Sequence, residues 1–296
     1  AAETAEAVLT DGSGHVLEAN DGDGDATGQL SAFNKVKTSK TSNEVIYAIE
    51  YDFSLGRGNN MIQCCLNTEA TTWTDNTGTN AGGKVFKTSV VHNMYNIADE
   101  IYDSYADGDV RAKEKNFFFK NYTSQSGSTF TSSSLDNWFW FDETAMINSQ
   151  GTSLNFPVFR FSEVYLIAAE AYLKQASPNT PKATEYVNKV RERAFTVAGT
   201  PAAGYTAFTT VTIDNVLTER LHEFPLEFKV WDDIRRTRLY PQAQSDKSLR
   251  WVDIATANTY NKRESKSFKD KQHLLIWPIP QVAIERNPAL GQNPGY

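Results

Sequence analysis

The chain has 296 residues, of which 40% are hydrophobic and 22% are charged, so it can form a substantial core and is unlike a disordered chain. No apolar run approaches the roughly 18 to 20 residues of a membrane helix. The net charge of −7 argues against nucleic acid binding, which requires clustered Lys and Arg. The one Lys-rich stretch, Lys262–Lys271, is interrupted by acidic residues and is predicted to be a solvated loop.

The sequence predicts a loop near the N-terminus, because Asp11–Gly28 is rich in Gly, Asp and Asn, which favour turns. Three aspartates in this loop alternate like the start of a calcium-binding loop: Asp21, Asp23 and Asp25. Ala26 and Ala32 occupy the positions where such a loop needs Gly and Glu, so calcium is disfavoured.

The next part of the chain is extended and then irregular. Glu44–Phe53 predicts an extended segment, because its apolar residues lack a helical stripe. From about Leu55 to Asn155 the sequence is rich in Ser, Thr, Gly and Asn, and long irregular segments in compact proteins often carry function.

The cysteines and histidines of the chain do not form a recognisable site. Cys64 and Cys65 are adjacent and cannot build a disulfide framework, so two reduced, partly buried thiols are expected. The four histidines lie far apart in sequence without zinc-site spacing. Neither a metal nor a cofactor is indicated, and the glycine patterns of nucleotide-binding sites are missing.

Aromatic residues next to amides and carboxylates mark the irregular segment. In an extended conformation Trp138 and Trp140 would share one face, and a flat indole beside polar groups suits a sugar ring. The sequence predicts a sugar-stacking surface from five residues: Trp73, Asn76, Asn137, Trp138 and Trp140.

A second interpretation of these tryptophans is structural. Trp138 and Trp140 would then pack as core, with their N–H groups on backbone carbonyls. Trp73 has little apolar company in sequence and is expected to be exposed. Packing is favoured for the tryptophans near the C-terminus: Trp231, Trp251 and Trp277.

Helical periodicity begins after Pro157. Two stripes recur at steps of four, three and four residues and predict an αα-hairpin: Phe161, Tyr165, Ala168 and Tyr172, then Ala183, Val187, Val190 and Ala194. Ser162 and Thr180 are the expected caps, and Pro181 suits the first helical position. A third helix is predicted to begin at Thr212 or Asp214 and to end at Phe224, before Pro225.

Acidic residues raise the possibility of an enzyme. A glycosidase needs two carboxyl groups beside one bond, and Asp136, Asp142 and Glu143 are candidates. The acidic residues of the helices are interleaved with arginines and are predicted to form structural ion pairs: Glu163, Glu170, Glu219, Glu223, Glu227 and Asp233, with Arg160, Arg191, Arg193, Arg220, Arg235 and Arg236.

Three ordered motifs in the last part of the chain resemble the SusD/RagB family of surface nutrient-binding lipoproteins. They are Arg160–Leu173 (RFSEVYLIAAEAYL), Asn188–Ala194 (NKVRERA) and Leu275–Tyr296 (LIWPIPQVAIERNPALGQNPGY). Between them lie the matching Glu219-Arg220 with Glu223-Phe224, and Asp233-Ile234-Arg235-Arg236. Upstream, Tyr102–Tyr105 and Asp109-Val110-Arg111 match loosely, and the chain departs from the pattern at Pro225 and Glu227–Val230.

The resemblance implies a mainly α fold with tetratricopeptide-like hairpins and a long irregular segment. It implies one SusD-like domain over residues 1–296, with a ligand-binding region at 1–155 and a helical motif region at 156–296, and a missing N-terminal part that carries a lipid anchor. The implied function is non-catalytic capture of an oligosaccharide or polysaccharide at the outer membrane, with a SusC-like TonB-dependent barrel as partner. A peptide-binding importer of the RagB type, a glycan hydrolase and a purely structural scaffold are the alternatives.

Overall fold

The structure is a computed structural model that describes residues 1–23, 31–38, 40–77, 81–86, 91, 96–148, 151–258 and 272–296. Part of the calcium-like loop, including Asp25 and Ala26, and the Lys-rich stretch Lys262–Lys271 lie outside the described residues. The chain divides into two compact units, Ala1–Phe228 and Lys229–Tyr296. The division near residue 155 stays a prediction.

The first unit contains seven α-helices among its described residues: α1 (Ala2–Thr10), α2 (Ala32–Thr38), α3 (Asp99–Tyr102), α4 (Glu143–Asn148), α5 (Phe161–Leu173), α6 (Thr180–Ala194) and α7 (Ile213–Glu223). Six strands form three two-stranded antiparallel sheets, β1–β4, β2–β3 and β5–β6: β1 (Val45–Ile49), β2 (Phe118–Thr123), β3 (Thr129–Asn137), β4 (Phe156–Arg160), β5 (Thr196–Val197) and β6 (Thr200–Pro201). The predicted mainly α fold is confirmed. In the described part of the chain, every helix is too short or too polar to cross a lipid bilayer.

Helices α5 and α6 form the predicted hairpin, and α1 and α7 pack against α5. The four stripe residues of α6 are completely buried: Ala183, Val187, Val190 and Ala194. The predicted caps are wrong by one or two residues, because both helices begin earlier than predicted. Asn179, not Thr180, caps α6 by accepting from Lys182 N, and Ser162 lies inside α5 and accepts from Arg160 instead.

The third predicted helix is confirmed as α7. Thr212 caps it through a reciprocal pair of hydrogen bonds with Asn215, and the helix ends before Pro225. Both ends follow from local chemistry, since the capping pair satisfies free backbone donors and proline cannot continue the helix.

A second core of the first unit lies in the segment predicted to be irregular, and it is largely aromatic. The β2–β3 hairpin supplies Tyr122 and Phe130 from directly paired positions, and other rings surround them: Trp73, Phe86, Phe117, Phe119, Phe139, Trp140 and Phe141. The hairpin was missed because β3 carries few apolar residues, so its alternating pattern is weak.

The second unit contains α8 (Lys229–Thr237), β7 (Leu239–Ala243), β8 (Leu249–Asp253) and α9 (Gln281–Arg286), with β7 and β8 paired antiparallel. Side-chain to backbone hydrogen bonds connect residues within its C-terminal segment. Gln292 bonds both backbone groups of Ile279, Asn293 Nδ2 donates to Trp277 O, and Tyr296 OH donates to Ile276 O.

A buried ion network joins distant parts of the first unit. Arg160, at the end of β4, donates to Glu44, Glu223, Glu227 and Ser162 and is 1% exposed. Because the Arg160 guanidinium is surrounded by acceptors, protein groups compensate its charge.

Two further arginines complete the network. Arg193 of α6 pairs with Glu44 at 2.8 Å and also with Glu223, whose second oxygen lies 3.2 Å from Arg111. Burial opposes the charge of Glu223, but the three arginines outweigh burial and hold the pKa of this carboxyl below its usual value. The predicted ion pairs with arginines are confirmed for Glu163, Glu219, Glu223, Glu227 and Asp233. Glu170 pairs with Lys174, which was outside the predicted set.

We expect Arg160→Met to destabilise the protein by about 3 kcal/mol or more, because it strands buried carboxylates without a cation. Urea unfolding followed by circular dichroism measures this loss. Lys182→Met is the matched control, since it removes a half-exposed pair with Glu185 at 3.2 Å and should cost less than about 1 kcal/mol. Equal, small losses in both variants would contradict a stabilising role for the network.

Candidate ligand-binding region

The β2–β3 hairpin separates the five predicted ligand residues into two groups. Trp73 and Asn76 lie at its tip, where Asn76 N donates to Ser128 Oγ beside the turn. Asn137, Trp138 and Trp140 lie at its base, where Phe118 pairs with Asn137. A strand of six residues spans about 20 Å, so the structure brings together the members of each group but does not join the two groups into one pocket.

Trp73 packs against the core side of the hairpin tip. Its indole stacks on Phe130 at 4.9 Å between ring centroids and 9° between planes, and on Tyr122 at 5.9 Å. Only 8% of the residue is exposed, so the expectation of an exposed Trp73 is wrong. The covering rings come from about fifty residues further along the chain, and the local sequence gave no sign of them.

Asn76 is exposed and lies three residues after Trp73 in the chain. The neighbouring Asp75 carboxylate accepts from Thr77 N at 2.9 Å and from Ser128 Oγ at 3.1 Å. These bonds connect the Asn76 segment to the hairpin turn and fix its backbone. Hydrogen bonds to Ser126, Thr77 and Ser128 hold the pKa of Asp75 below its ordinary value, so it is a carboxylate at neutral pH.

The four aromatic residues at the hairpin base do not continue as a strand. β3 ends at Asn137, and Phe141 N donates to Trp138 O at 3.0 Å in a turn. Asn137 Oδ1 accepts from Trp140 N at 3.1 Å and so stabilises this turn. The predicted extended conformation, with the two tryptophans on one face, is therefore wrong.

Trp140 and Trp138 have different environments. Trp140 is 1% exposed, stacks on Phe156 at 5.3 Å and donates from Nε1 to Leu226 O at 3.0 Å, which matches the structural interpretation. Trp138 is half-buried; its Nε1 donates to Asn34 Oδ1 at 2.7 Å and its ring stacks on Phe141. Of the three predicted tryptophans, Trp138 alone is half-buried and the other two are buried. Ligand binding by the five residues stays a prediction.

Sequence reasoning missed the polar outer face of the hairpin. Tyr122 and Phe130 point into the core, so the neighbouring pairs point outward, and all four residues are exposed: Asn121, Thr131, Thr123 and Thr129. Thr131 Oγ1 donates to Asn121 Oδ1 at 3.0 Å, and Asn121 Nδ2 donates to Glu114 at 2.9 Å. We call this row of four residues the hairpin face. The Ser-Gly turn between two short alternating stretches was the signal that could have revealed it.

The candidate glycosidase carboxylates are bound to protein groups. Asp142 accepts from Ala145 N and Thr152 Oγ1, and Glu143 accepts from Tyr122 OH and Gln125. In the described ranges there is no group of three or more His, Cys, Asp or Glu residues that could hold a metal ion. The acidic residues of this region thus serve the local fold.

The C-terminal tryptophans differ from expectation at one position. Trp251 is 5% exposed, as packing requires, and Trp231 is partly buried. Trp277 is 72% exposed, so the prediction that it packs is wrong in this structure. Its backbone is held by Asn293, which fixes the position of an indole that the rest of the described chain leaves open.

Asp136, the remaining candidate acid, is completely buried beside the hairpin base. Its Oδ1 accepts from Asn67 N at 2.8 Å, whereas its Oδ2 has no hydrogen-bond partner in the described part of the chain. Burial raises the pKa of Asp136 to about 6, and the nearby Glu69 acts in the same direction. This carboxyl is therefore a cost to folding at neutral pH.

We expect Asp136→Asn to gain more stability over wild type at pH 7 than at pH 4. Below about pH 4 the carboxyl is protonated in both folded and unfolded states; as pH rises to 6 only the unfolded state ionises, so wild-type stability falls by up to about 3 kcal/mol. The amide keeps the acceptor for Asn67 N and removes this loss. Urea unfolding of variant and wild type at both pH values measures the difference.

Asp52→Asn is the control for this experiment, because its carboxyl titrates below the pH range used. Hydrogen bonds from Ser54 lower the pKa of Asp52, so its contribution to stability is lost as pH falls. Because that loss lies below the ordinary Asp pKa of 3.8, the difference between the control and wild type should stay nearly constant from pH 4 to pH 7. A difference between Asp136→Asn and wild type that does not change with pH would show that the carboxyl ionises normally.

The chain matches the family model described as "SusD family" over residues 31–296. It is 32% identical over 152 residues to a SusD-like protein P2 of Formosa agariphila, an alignment that covers 50% of this chain and 27% of that protein. A SusD superfamily protein of Parabacteroides distasonis superposes with a TM-score of 0.68 at 22% identity, over 100% of this chain and 56% of that one.

Two solved structures with "surface glycan-binding protein A" in their descriptions are also similar. The Bacteroides uniformis protein gives a TM-score of 0.64 at 19% identity, over 99% of this chain and 55% of its own. The Bacteroides thetaiotaomicron protein, solved with laminarihexaose, gives 0.59 at 19% identity, over 99% of this chain and 58% of its own. The chain thus spans little more than half the length of these solved relatives. The family match over most of the sequence shows that this chain belongs to the SusD family.

Proposed function

We propose that the protein binds an oligosaccharide or polysaccharide without chemical change, and that the hairpin face is part of the surface that does so. The observation that carries this proposal is a row of exposed hydroxyl and amide side chains on two strands whose other face packs on the aromatic core. Such groups can exchange hydrogen bonds with sugar hydroxyls, and packing of the strands on the core limits the entropy lost on binding. Family membership and the glycan-binding descriptions of two relatives support it.

The five predicted residues take two roles in this proposal. Asn76 at the tip and Trp138 at the base contact the ligand, because they retain exposed surface. Trp73, Asn137 and Trp140 act through position: Trp73 supports Phe130, and Asn137 and Trp140 hold the turn that carries Trp138. Along the strands, the hairpin face lies between the tip and the base of the hairpin.

Family membership also supports a place and a partner. We propose that the protein acts at the surface of a bacterial outer membrane, as a lipid-anchored subunit of an uptake system with a SusC-like TonB-dependent barrel. The net charge of −7 favours neutral over anionic glycans as ligands. The bound state of Asp142 and Glu143 favours capture over hydrolysis.

Trp138→Leu tests the ligand contact. It keeps apolar contact with Phe119 and Phe141 but removes the flat ring, and we expect at least about tenfold weaker glycan binding, or about 1.4 kcal/mol. Trp277→Leu is the matched control, since it removes an exposed indole outside the hairpin region and should leave affinity unchanged. Asn76→Ala should weaken binding in the same direction as Trp138→Leu.

Calorimetry against a panel of soluble oligosaccharides that includes laminarihexaose, with peptides and released reducing ends measured in parallel, gives the readout. Binding without new reducing ends supports capture. New reducing ends would replace it by hydrolysis, and peptide binding alone would assign the chain to the peptide-importing type. Equal affinity in Trp138→Leu and Trp277→Leu would remove Trp138 from the site.

A further inference from the structure

Helix α2 holds the indole of Trp138 with two polar side chains three residues apart. Asn34 Oδ1 accepts from Trp138 Nε1 at 2.7 Å, and Lys37 Nζ donates to Trp138 O at 2.6 Å. The Lys37 amine also lies 4.2 Å from the centroid of the Trp138 ring. Residues three apart on a helix share a face, so this arrangement follows from the sequence of α2.

The Lys37 amine is buried without a counterion. The residue is 8% exposed, and within the described ranges its amine forms no ion pair with a carboxylate. A buried ammonium needs a paired anion to offset lost hydration, whereas one carbonyl and an aromatic face compensate only part of that loss. The neutral amine therefore suits this position better than the ammonium.

Two acidic groups lie near the amine, and within the described residues neither forms an ion pair with it. From the segment after the short helix Asn60–Cys64 comes the Cys65 thiol, which burial keeps neutral by raising its pKa well above the usual value. From the segment before α4 comes Asp142, whose oxygens are bound to Ala145 N and Thr152 Oγ1. A second cation, Lys115, lies 5.7 Å from the Trp138 ring centroid.

Burial is the dominant influence on the amine and lowers the pKa of Lys37 to about 7, while the Asp142 carboxylate acts in the opposite direction. Its protonation therefore falls within the ordinary pH range of a bacterial environment. The second contact of α2, from Asn34 to the indole, carries no ionisable group and is insensitive to pH in this range.

We propose that the contact between α2 and Trp138 is a built-in pH-dependent contact, in which protonation of Lys37 draws the amine toward water and loosens the turn that carries Trp138. Deprotonation restores the buried amine and its bond to Trp138 O. Asn34 keeps the indole attached throughout, so the change is local. This inference stands on the contacts of Lys37 and does not depend on ligand identity.

Fluorine NMR of the protein labelled with 5-fluorotryptophan tests the proposal, with the Trp138 signal assigned by Trp138→Phe. We expect this signal to shift between pH 5.5 and 8.5 with a midpoint near 7, and to be insensitive to pH in Lys37→Met. Lys35→Met is the matched control: this lysine lies on the same helix but pairs with Asp21 at 2.6 Å in a more exposed position, so the wild-type titration should persist.

A Trp138 signal that is flat in the wild type, or that titrates equally in Lys37→Met, overturns the proposal. If Lys37→Met does not fold, wild-type protein with 13C at lysine Cε gives the titration of Lys37 directly. A Lys37 midpoint near 7 together with a moving Trp138 signal supports the proposal, and a midpoint near the ordinary value of 10.5 ends it.

Discussion

The arrangement of the first unit depends on one buried set of charges centred on Glu223. Three arginines from separate parts of the chain meet this carboxylate: Arg111, Arg160 and Arg193. Burying so many ions is costly unless every one is paired with good geometry, so an alternative arrangement of these segments would leave a charge uncompensated. The network thus specifies which segments come together more than it contributes net stability.

Short segments of chain connect the network to the candidate ligand-binding region. Arg160 ends β4, and Phe156 at the start of the same strand stacks on Trp140 at the hairpin base. Leu226, between Glu223 and Glu227, accepts from the Trp140 indole. Fixing the network therefore also fixes the aromatic turn that carries Trp138. The carboxylates of the network are all paired with arginines, so in the proposed function the ligand contacts come from neutral amides, hydroxyls and rings.

Sequence patterns predicted the elements whose chemistry is local. The α6 stripe, the third helix and its stop at Pro225 each depend on residues within a turn or two of one another. The arginine partners of α5 to α7 were also predictable, because their charges alternate along helices. Arg111 could be found only through a loose match, since its role depends on Glu219 and Glu223 more than a hundred residues away.

Exposure of aromatic residues could not be predicted in the same way, because it is set by what folds over them. Trp73 has polar sequence neighbours yet lies under Phe130 and Tyr122, whereas Trp277 lies in an apolar motif yet is open. A buried ring still contributes to recognition when it supports exposed polar groups, because a rigid surface loses little entropy on binding. In the proposed function the hairpin face acts in this way, so its amide and hydroxyl side chains, more than the buried rings beneath them, should set ligand choice.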